Sequence, residues 1–494
     1  MKPIHIIAAS LLLTGSIGCK KYLYKDPVGR ITPEQVDFDP KIGTLSSAVN
    51  FSYQLLSTRL NVIGEWAWNR GLVVRNDFIL QDIAAGDMQR KYNLDGDQAW
   101  MDEVANFSFT PEGPAFIGQW LYNYEGIARV NQAIAYLKDP EIPGKVGLDE
   151  VTRKRWLAEV LFLRAFYYFD LVNNYGGVPL LTRPLENFEQ AYELAKRAPV
   201  EEVWKQISTD LTEARDYLPA TKFSDNNEKW RVSKGAVIAL QAKVALYNQK
   251  WSDVITLVND LETLGFYDLN DNYFDSFDQT KEYADDEVIF AYDHKTGQLP
   301  RNGNGFTALI GWGFIAPTTN FLNEFEANDP RKLYTVNVAQ QAPYKLLGTL
   351  DNTNKGNEDA PNNKLYIRFA DVLLWKAEAY NESSNPLEAI KIINRIRERA
   401  RTTATADGSV IPAGTLPARS EAVTDKAQIN TWLRHERRVE FGFESQRFND
   451  LKRWKIAKEV LNDMGRNFQD KHYLYPIPQS EIDRAGGTIT QNDY

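Results

Sequence analysis

"LLWKAEAYNESSNPLEAIKIINRIRERA", residues 373–400, decides how the rest of the chain is read. Ala377, Tyr380, Ala389, Ile393 and Ile396 stand at the offsets where a tetratricopeptide-like helix pair places its small-then-large packing residues. Alanines let two antiparallel helices approach, and the larger side chains fill the gap between pairs. "ALQAKVALYNQKWSDVITLVNDL" (239–261) repeats the offsets with Ala242, Ala245, Val254, Val258 and Leu261. The two units are far apart in sequence. They are therefore expected to frame one side of a single body, with long segments inserted between them.

Other stretches carry the same periodicity. Leu121, Tyr124, Ile127, Val130 and Ile134 recur at three- and four-residue spacing in 120–137. A long apolar helix over 155–175 is ended by Gly176, Gly177 and Pro179. Another, over 199–219, has Pro199 at its start, Glu201 and Glu202 in its first turn and Pro219 past its end. Residues 61–119 and 268–365 are rich in Gly, Asn, Asp and Pro, so they predict loops with a few short strands. The expected fold is mostly α: tetratricopeptide-like helix pairs forming one large body with loop-rich, ligand-binding insertions.

The 494 residues include 57 Lys and Arg against 66 Asp and Glu, a net charge of −9. That balance disfavours general nucleic-acid binding, which needs a positive face for phosphates. The stretch "RHERRVEFGFESQRFNDLKRW" (434–454) looks basic and aromatic, but its charges alternate. Read as one helix, it pairs Arg437 with Glu440, Glu440 with Arg447 and Asp450 with Arg453, as partly buried ion pairs holding the C-terminal helices to the body.

The single cysteine, Cys19, excludes an internal disulfide framework and a thiolate zinc site. It follows a short apolar run from Ile6 to Leu13 and the segment "GSIG", a lipobox-like cleavage point. Residues 1–18 are thus expected to be a lipoprotein signal peptide, and 19–40 a lipidated tether starting at Cys19. His5, His294, His435 and His472 form no metal motif. "DLNDNYFDSFDQ" (268–279) lacks the glycine and final glutamate of an EF-hand, leaving only a looser structural calcium site open. The acidic runs 285–287 and 95–97 read as solvated turns, not as the paired carboxylates of a glycosidase.

Aromatics make up 12% of the chain. Trp66 and Trp68 sit two apart between glycines, facing the same way if that segment is extended. Trp312 stands between Gly311 and Gly313, with Phe306 and Phe314 nearby, and Trp100 lies in another polar stretch. Flat rings in loops suit the C–H faces of sugars. The expected ligand site is Trp66, Trp68, Trp100, Trp312 and Phe314, with Arg75, Asn76, Asp77 and Asn304 as polar companions.

The ordered blocks "CKKYL", "WLYNYEGIARVNQAI", "EVLFLRAFYYFDLVNNYGGVPLLT", "RVSKGAVIALQAKVALY", "PTTNFLNEFEANDPR", "YIRFADVLLWKAEAYNE", "RHERRVEFGFESQRFNDLKRW" and "LYPIPQSEIDRAGGTITQNDY" span nearly the whole chain. Together they resemble the SusD/RagB family of outer-membrane nutrient-binding lipoproteins of Bacteroidetes. The resemblance implies an N-terminal helical region over 41–265 and a C-terminal region over 266–494, in one structural unit. It implies a cell-surface glycan-binding lipoprotein without catalytic activity. Such a protein captures nutrient for a SusC-like TonB-dependent outer-membrane transporter. Oligopeptide capture of the RagB type is the alternative, and no cofactor is implied.

Overall fold

The computed structural model describes residues 41–64, 66–91, 95–222, 228–282 and 286–494. Cys19 and the expected signal and tether lie outside them. No described helix is long and apolar enough to cross a membrane.

The long helices are α1 (Ile42–Tyr53), α2 (Pro114–Lys138), α3 (Glu150–Tyr175), α4 (Val200–Tyr217), α5 (Lys234–Tyr247), α6 (Trp251–Thr263), α7 (Phe369–Glu382), α8 (Pro386–Thr402) and α9 (Lys426–Phe441). Successive members pack side by side from α2 through α8, and α9 lies against both α7 and α8. The two repeat-like units are indeed helix pairs. Ala377, Ala389, Ile393 and Ile396 are fully buried in one, and Ala242, Val254, Val258 and Leu261 in the other. They stack directly, α6 on α7, although about a hundred residues of chain separate them.

Local chemistry sets the helix ends. Asp149 caps α3 by accepting from the Thr152 amide at 2.9 Å, and Ser233 caps α5 by accepting from the Ala236 amide at 3.1 Å. Both pairs reverse through a left-handed residue, Gln249 (φ 56°) and Ser384 (φ 59°). Arg164 of α3 grips Asp210 of α4 with two bonds of 2.7 and 2.8 Å in the interior.

The loop-rich insertions carry two small antiparallel sheets. β1 (Met88–Gln89) pairs with β3 (Ala316–Pro317), and β2 (Val288–Tyr292) with β4 (Lys364–Arg368). Four one-turn helices also punctuate 306–347, at Phe306–Gly311, Thr319–Leu322, Arg331–Thr335 and Tyr344–Leu347, where loops and strands alone were expected. The stretch 268–279 buries Tyr273, Phe274 and Phe277 against Tyr334. Among the described residues, no three His, Cys, Asp or Glu side chains gather to hold a metal ion.

The stretch 434–454 is scaffold, but it is not one helix. α9 stops at Phe441 and α10 (Arg447–Arg453) begins after a break in which Phe443 (φ 66°) and Ser445 (φ 57°) are left-handed. A Cβ at Gly442 would stand 2.2 Å from the Phe321 ring, so only glycine fits where the chain turns. The turn swings Glu444 inward to Arg368 at 2.8 Å and Lys345 at 2.6 Å. The pairing therefore differs from the single-helix reading. Arg437 binds Asp371 and Asp450, each at 2.8 Å, while Glu440 serves Arg331, Arg368 and Arg399. Asp450 does hold Arg453, at 2.9 Å. Glu287, expected as a solvated turn acid, is fully buried and binds Arg368 and Arg399.

His435 ties the loop at 324–326 to α9. Its Nδ1 lies 2.8 Å from Glu324 and its Nε2 3.2 Å from Glu326. Those carboxylates also receive Arg438, Arg397 and Arg419. Burial disfavours the imidazolium, but the hydrogen bonds to Glu324 and Glu326 outweigh it and raise the histidine to about 9. A raised folded value gives stability that is complete below the unfolded value of about 6.5 and is lost as pH climbs through 9. Between pH 6.5 and 9.5 the protein should lose about 2 kcal/mol, with partial solvent screening allowed for. A His435→Gln variant should lack that component. Urea midpoints at the two pH values test it, and equal pH slopes for both proteins would refute it.

Candidate aromatic binding platform

Two loop-rich segments meet where β1 pairs with β3. Met88 faces Pro317 and Gln89 faces Ala316, while the Gly305 amide donates to the Thr58 carbonyl at 3.1 Å. Trp66, Trp68, Trp312 and Phe314 converge there. Ring centroids lie 6.3 Å apart for Trp66–Trp68, 6.2 Å for Trp66–Trp312, 6.5 Å for Trp68–Trp312 and 5.2 Å for Trp68–Phe314. Trp66 is 56% exposed and Trp312 36%, while Phe314 is nearly covered at 9%. Exposed indoles are costly unless a partner covers them, so this patch is the molecule's strongest candidate for a binding surface.

Local turns aim the rings. Trp68 opens a 3₁₀ turn, Trp68–Arg70, closed by Gly71 at φ 63°. Trp66 and Trp68 are consequently near-perpendicular, at 88°, and do not face one way as an extended segment would place them. Trp312 caps the helix Phe306–Gly311, and Gly313 at φ 76° turns the chain between Trp312 and Phe314. A Cβ at Gly311 would fall 2.2 Å from the Gly356 Cα, so glycine is what lets that helix dock. The Lys91 ammonium sits 4.6 Å over Phe314 and is held by Asp95 at 2.9 Å.

Trp100 stands behind this surface. Its indole donates to Gln98 at 2.7 Å, and its ring shares a narrow crevice with Trp68, Gly71 and Met101. It supports the platform from within.

The four polar residues proposed as companions belong to the interior. Asp77 accepts from Arg75 at 3.1 Å and Gln119 at 2.9 Å and is paired with Lys364. Burial pushes its carboxyl up, yet Arg75 and Lys364 hold it below the usual carboxylate range. Asn76 donates to the Gly71 carbonyl at 3.0 Å. Asn304 accepts from Thr58 at 2.6 Å and donates to the Asn362 carbonyl at 3.2 Å. Arg75, Asn304 and Lys364 line a cavity of about 60 Å³. That holds about two waters, whereas ligand pockets run to about 300–1,000 Å³. These residues brace the body beneath the platform, and the charged group that meets its rings is Lys91, paired with Asp95 and Asp97 of an exposed turn.

A larger groove, about 870 Å³, opens between α4 and α6. Its one tryptophan, Trp204, packs edge-on against Phe169 at 5.7 Å, and an Arg215–Asp260 pair of 2.7 Å crosses it.

Comparison with known proteins agrees with this architecture. The family model described as the SusD family matches residues 337–494, and one described as starch-binding associating with outer membrane matches 55–246. A SusD-like protein P2 of Formosa agariphila is 28% identical, over 100% of this chain and 99% of its own. A solved laminarin binding SusD-like protein superposes with a TM-score of 0.73 at 24% identity, covering 92% of this chain and 99% of that one. Surface glycan-binding protein A from Bacteroides thetaiotaomicron, solved in complex with laminarihexaose, also gives a TM-score of 0.73, at 23% identity, covering 92% and 100%.

Proposed function

The chain belongs to the SusD/RagB family, and from that membership we propose that it is a non-catalytic lipoprotein that binds oligo- or polysaccharide at the outer membrane. Lipid on Cys19 anchors it to the cell surface, and it passes captured glycan to a partner TonB-dependent transporter. The observation that carries the glycan reading is the meeting of exposed Trp66 and Trp312, from segments more than 200 residues apart, on one surface. Indole faces stack against the C–H faces of pyranose rings, and Lys91, over Phe314 and paired with Asp95, supplies a partner for hydroxyls. Relatives named for glycan binding support the reading, and the family model described as starch-binding associating with outer membrane supports the location.

Affinity-gel electrophoresis over a panel of neutral polysaccharides tests it. The wild type should be retarded by at least one, and Trp66→Ala and Trp312→Ala should each weaken that interaction about tenfold. Both rings are exposed, so neither change should lower the Tm by more than a few degrees. Unchanged retardation of both variants would remove the assigned site. Calorimetric heat from an oligopeptide pool, with none from any glycan, would transfer the site to peptide capture.

A further inference from the structure

Residues 301–305 read "RNGNG", two Asn-Gly steps in a row, and the first of them lies among groups able to drive its own chemistry. We propose that Asn302–Gly303 is a self-modification site, at which the folded protein converts Asn302 into aspartate or isoaspartate. A glycine after asparagine has no Cβ to shield its amide nitrogen, so that nitrogen can attack the asparagine side chain.

Three contacts prepare the site. The Tyr292 hydroxyl, at the end of β2, donates to Asn302 Oδ1 at 2.8 Å, and burial pushes that hydroxyl up to about 12, so it keeps its proton. The Gly303 amide donates to Asp359 Oδ1 at 2.8 Å. A Cβ at Gly303 would stand 2.4 Å from the same oxygen, so glycine alone lets the amide reach it. Asn302 itself is only half-buried and open to water. Asn304–Gly305 is the internal contrast. Asn304 is 4% exposed, and its Oδ1 accepts from Thr58 at 2.6 Å. The Gly305 amide is tied to the Thr58 carbonyl at 3.1 Å, an oxygen that takes no proton.

Asp359 takes the Gly303 amide proton as that nitrogen bonds to Asn302 Cγ, and Tyr292 stabilises the negative charge gathering on Oδ1. The Cγ–Nδ2 bond then breaks, and Nδ2 leaves as ammonia with the proton from Asp359. Water opens the resulting cyclic imide at either carbonyl. One opening leaves aspartate, and the other leaves isoaspartate, in which the main chain runs through the former side chain and is one carbon longer. Both add a negative charge. The Lys295 amide donates to the Asn302 carbonyl at 3.1 Å, and Asn304 pairs with Ala360 in both directions. The longer chain cannot keep both pairings in register, so isoaspartate slackens the strap from which the helix Phe306–Gly311 starts.

The full chain, held folded for days at about pH 8 in heavy-oxygen water, then digested and read by peptide mass spectrometry, tests the proposal. Asn302 should gain label about tenfold faster than Asn304, and faster than it does in the same chain unfolded in urea. Tyr292→Phe and Asp359→Asn should each slow Asn302 about tenfold in the folded protein and leave the unfolded rate unchanged. A merely structural role for either residue would instead loosen the loop and speed both asparagines. Equal rates at Asn302 and Asn304, slower conversion of Asn302 folded than unfolded, or variants that leave its rate unchanged or raise it, overturn the proposal.

Discussion

Glu440→Gln is expected to cost about 3–5 kcal/mol of folding stability, the usual penalty for removing one member of a buried charge cluster. Glu440 is fully buried, with Arg368 2.8 Å from Oε1, Arg331 2.9 Å from Oε2, and Arg399 also bonded. The amide keeps the shape but carries no charge, and its NH₂ would face a guanidinium. Three arginines would then share Asp329, Glu287, Glu436 and Glu444. Burial pushes the Glu440 carboxyl up, but Arg399, Arg368 and Arg331 together hold it well below the usual range. A depressed folded value contributes stability present above the unfolded value of about 4.3, lost as pH falls below it. The variant should therefore show its deficit at pH 7 and converge on the wild type in acid. Guanidinium melts at pH 7 and in stepwise acid down to about pH 2 measure both, with an unchanged m-value marking a stability effect. Because the cluster is scaffold, glycan affinity of the folded variant should match the wild type. Lost affinity with an unchanged midpoint would place Glu440 in the site instead.

The same region shows what sequence could and could not carry. Alternating charges over 434–454 revealed buried pairing, because acids and bases at helical spacing neutralise one another. Asp450 with Arg453 held, but the partners expected for Glu440 were wrong because helical spacing names only neighbours on one helix, whereas Glu440 reaches residues from three other segments. The break at 442–446 had a signal in Gly442, within "FGFES", which the charge pattern overrode. The helix pairs were legible since alanine spacing is local. The stacking of α6 on α7 was not, because nothing near 261 or 369 encodes the other. At the site, glycines beside Trp66, Trp68 and Trp312 marked rings that no helix core could absorb. Their meeting joins segments more than 200 residues apart, and neither segment announces the other. Arg75, Asp77 and Asn304 were misplaced because a polar residue near a loop tryptophan in sequence can point inward, as these do.

Gly118→Val is expected to destabilise the protein by about 3 kcal/mol and to weaken glycan binding, although Gly118 lies in α2 and is no part of the aromatic cluster. A Cβ at Gly118 would stand 2.2 Å from the Gly71 carbonyl oxygen and 2.4 Å from the Asn76 Nδ2. Gly71 closes the turn that carries Trp68, and a Cβ there would in turn meet the Pro114 carbonyl at 2.3 Å, so turn and helix touch backbone to backbone. Neither carbonyl is a flexible side-chain end that could swing aside. Adding a branched side chain must lift the turn off α2, stretching the 3.0 Å bond from the Tyr122 hydroxyl to the Leu72 carbonyl and tilting Trp68 under Trp66 and Trp312. A tilt changes the angle between stacking faces, so affinity should drop several-fold in whatever protein remains folded, a loss that stability alone does not explain. Gly144→Ala is the matched control. It also lies in a helix, its Cβ would meet nothing within 4 Å, and its effect should stay within about 0.5 kcal/mol. Thermal melts and titrations measured below the melting range separate the two effects. A Gly118→Val protein that melts early but binds like the wild type would show that the close approach supports the body without setting the platform's angle.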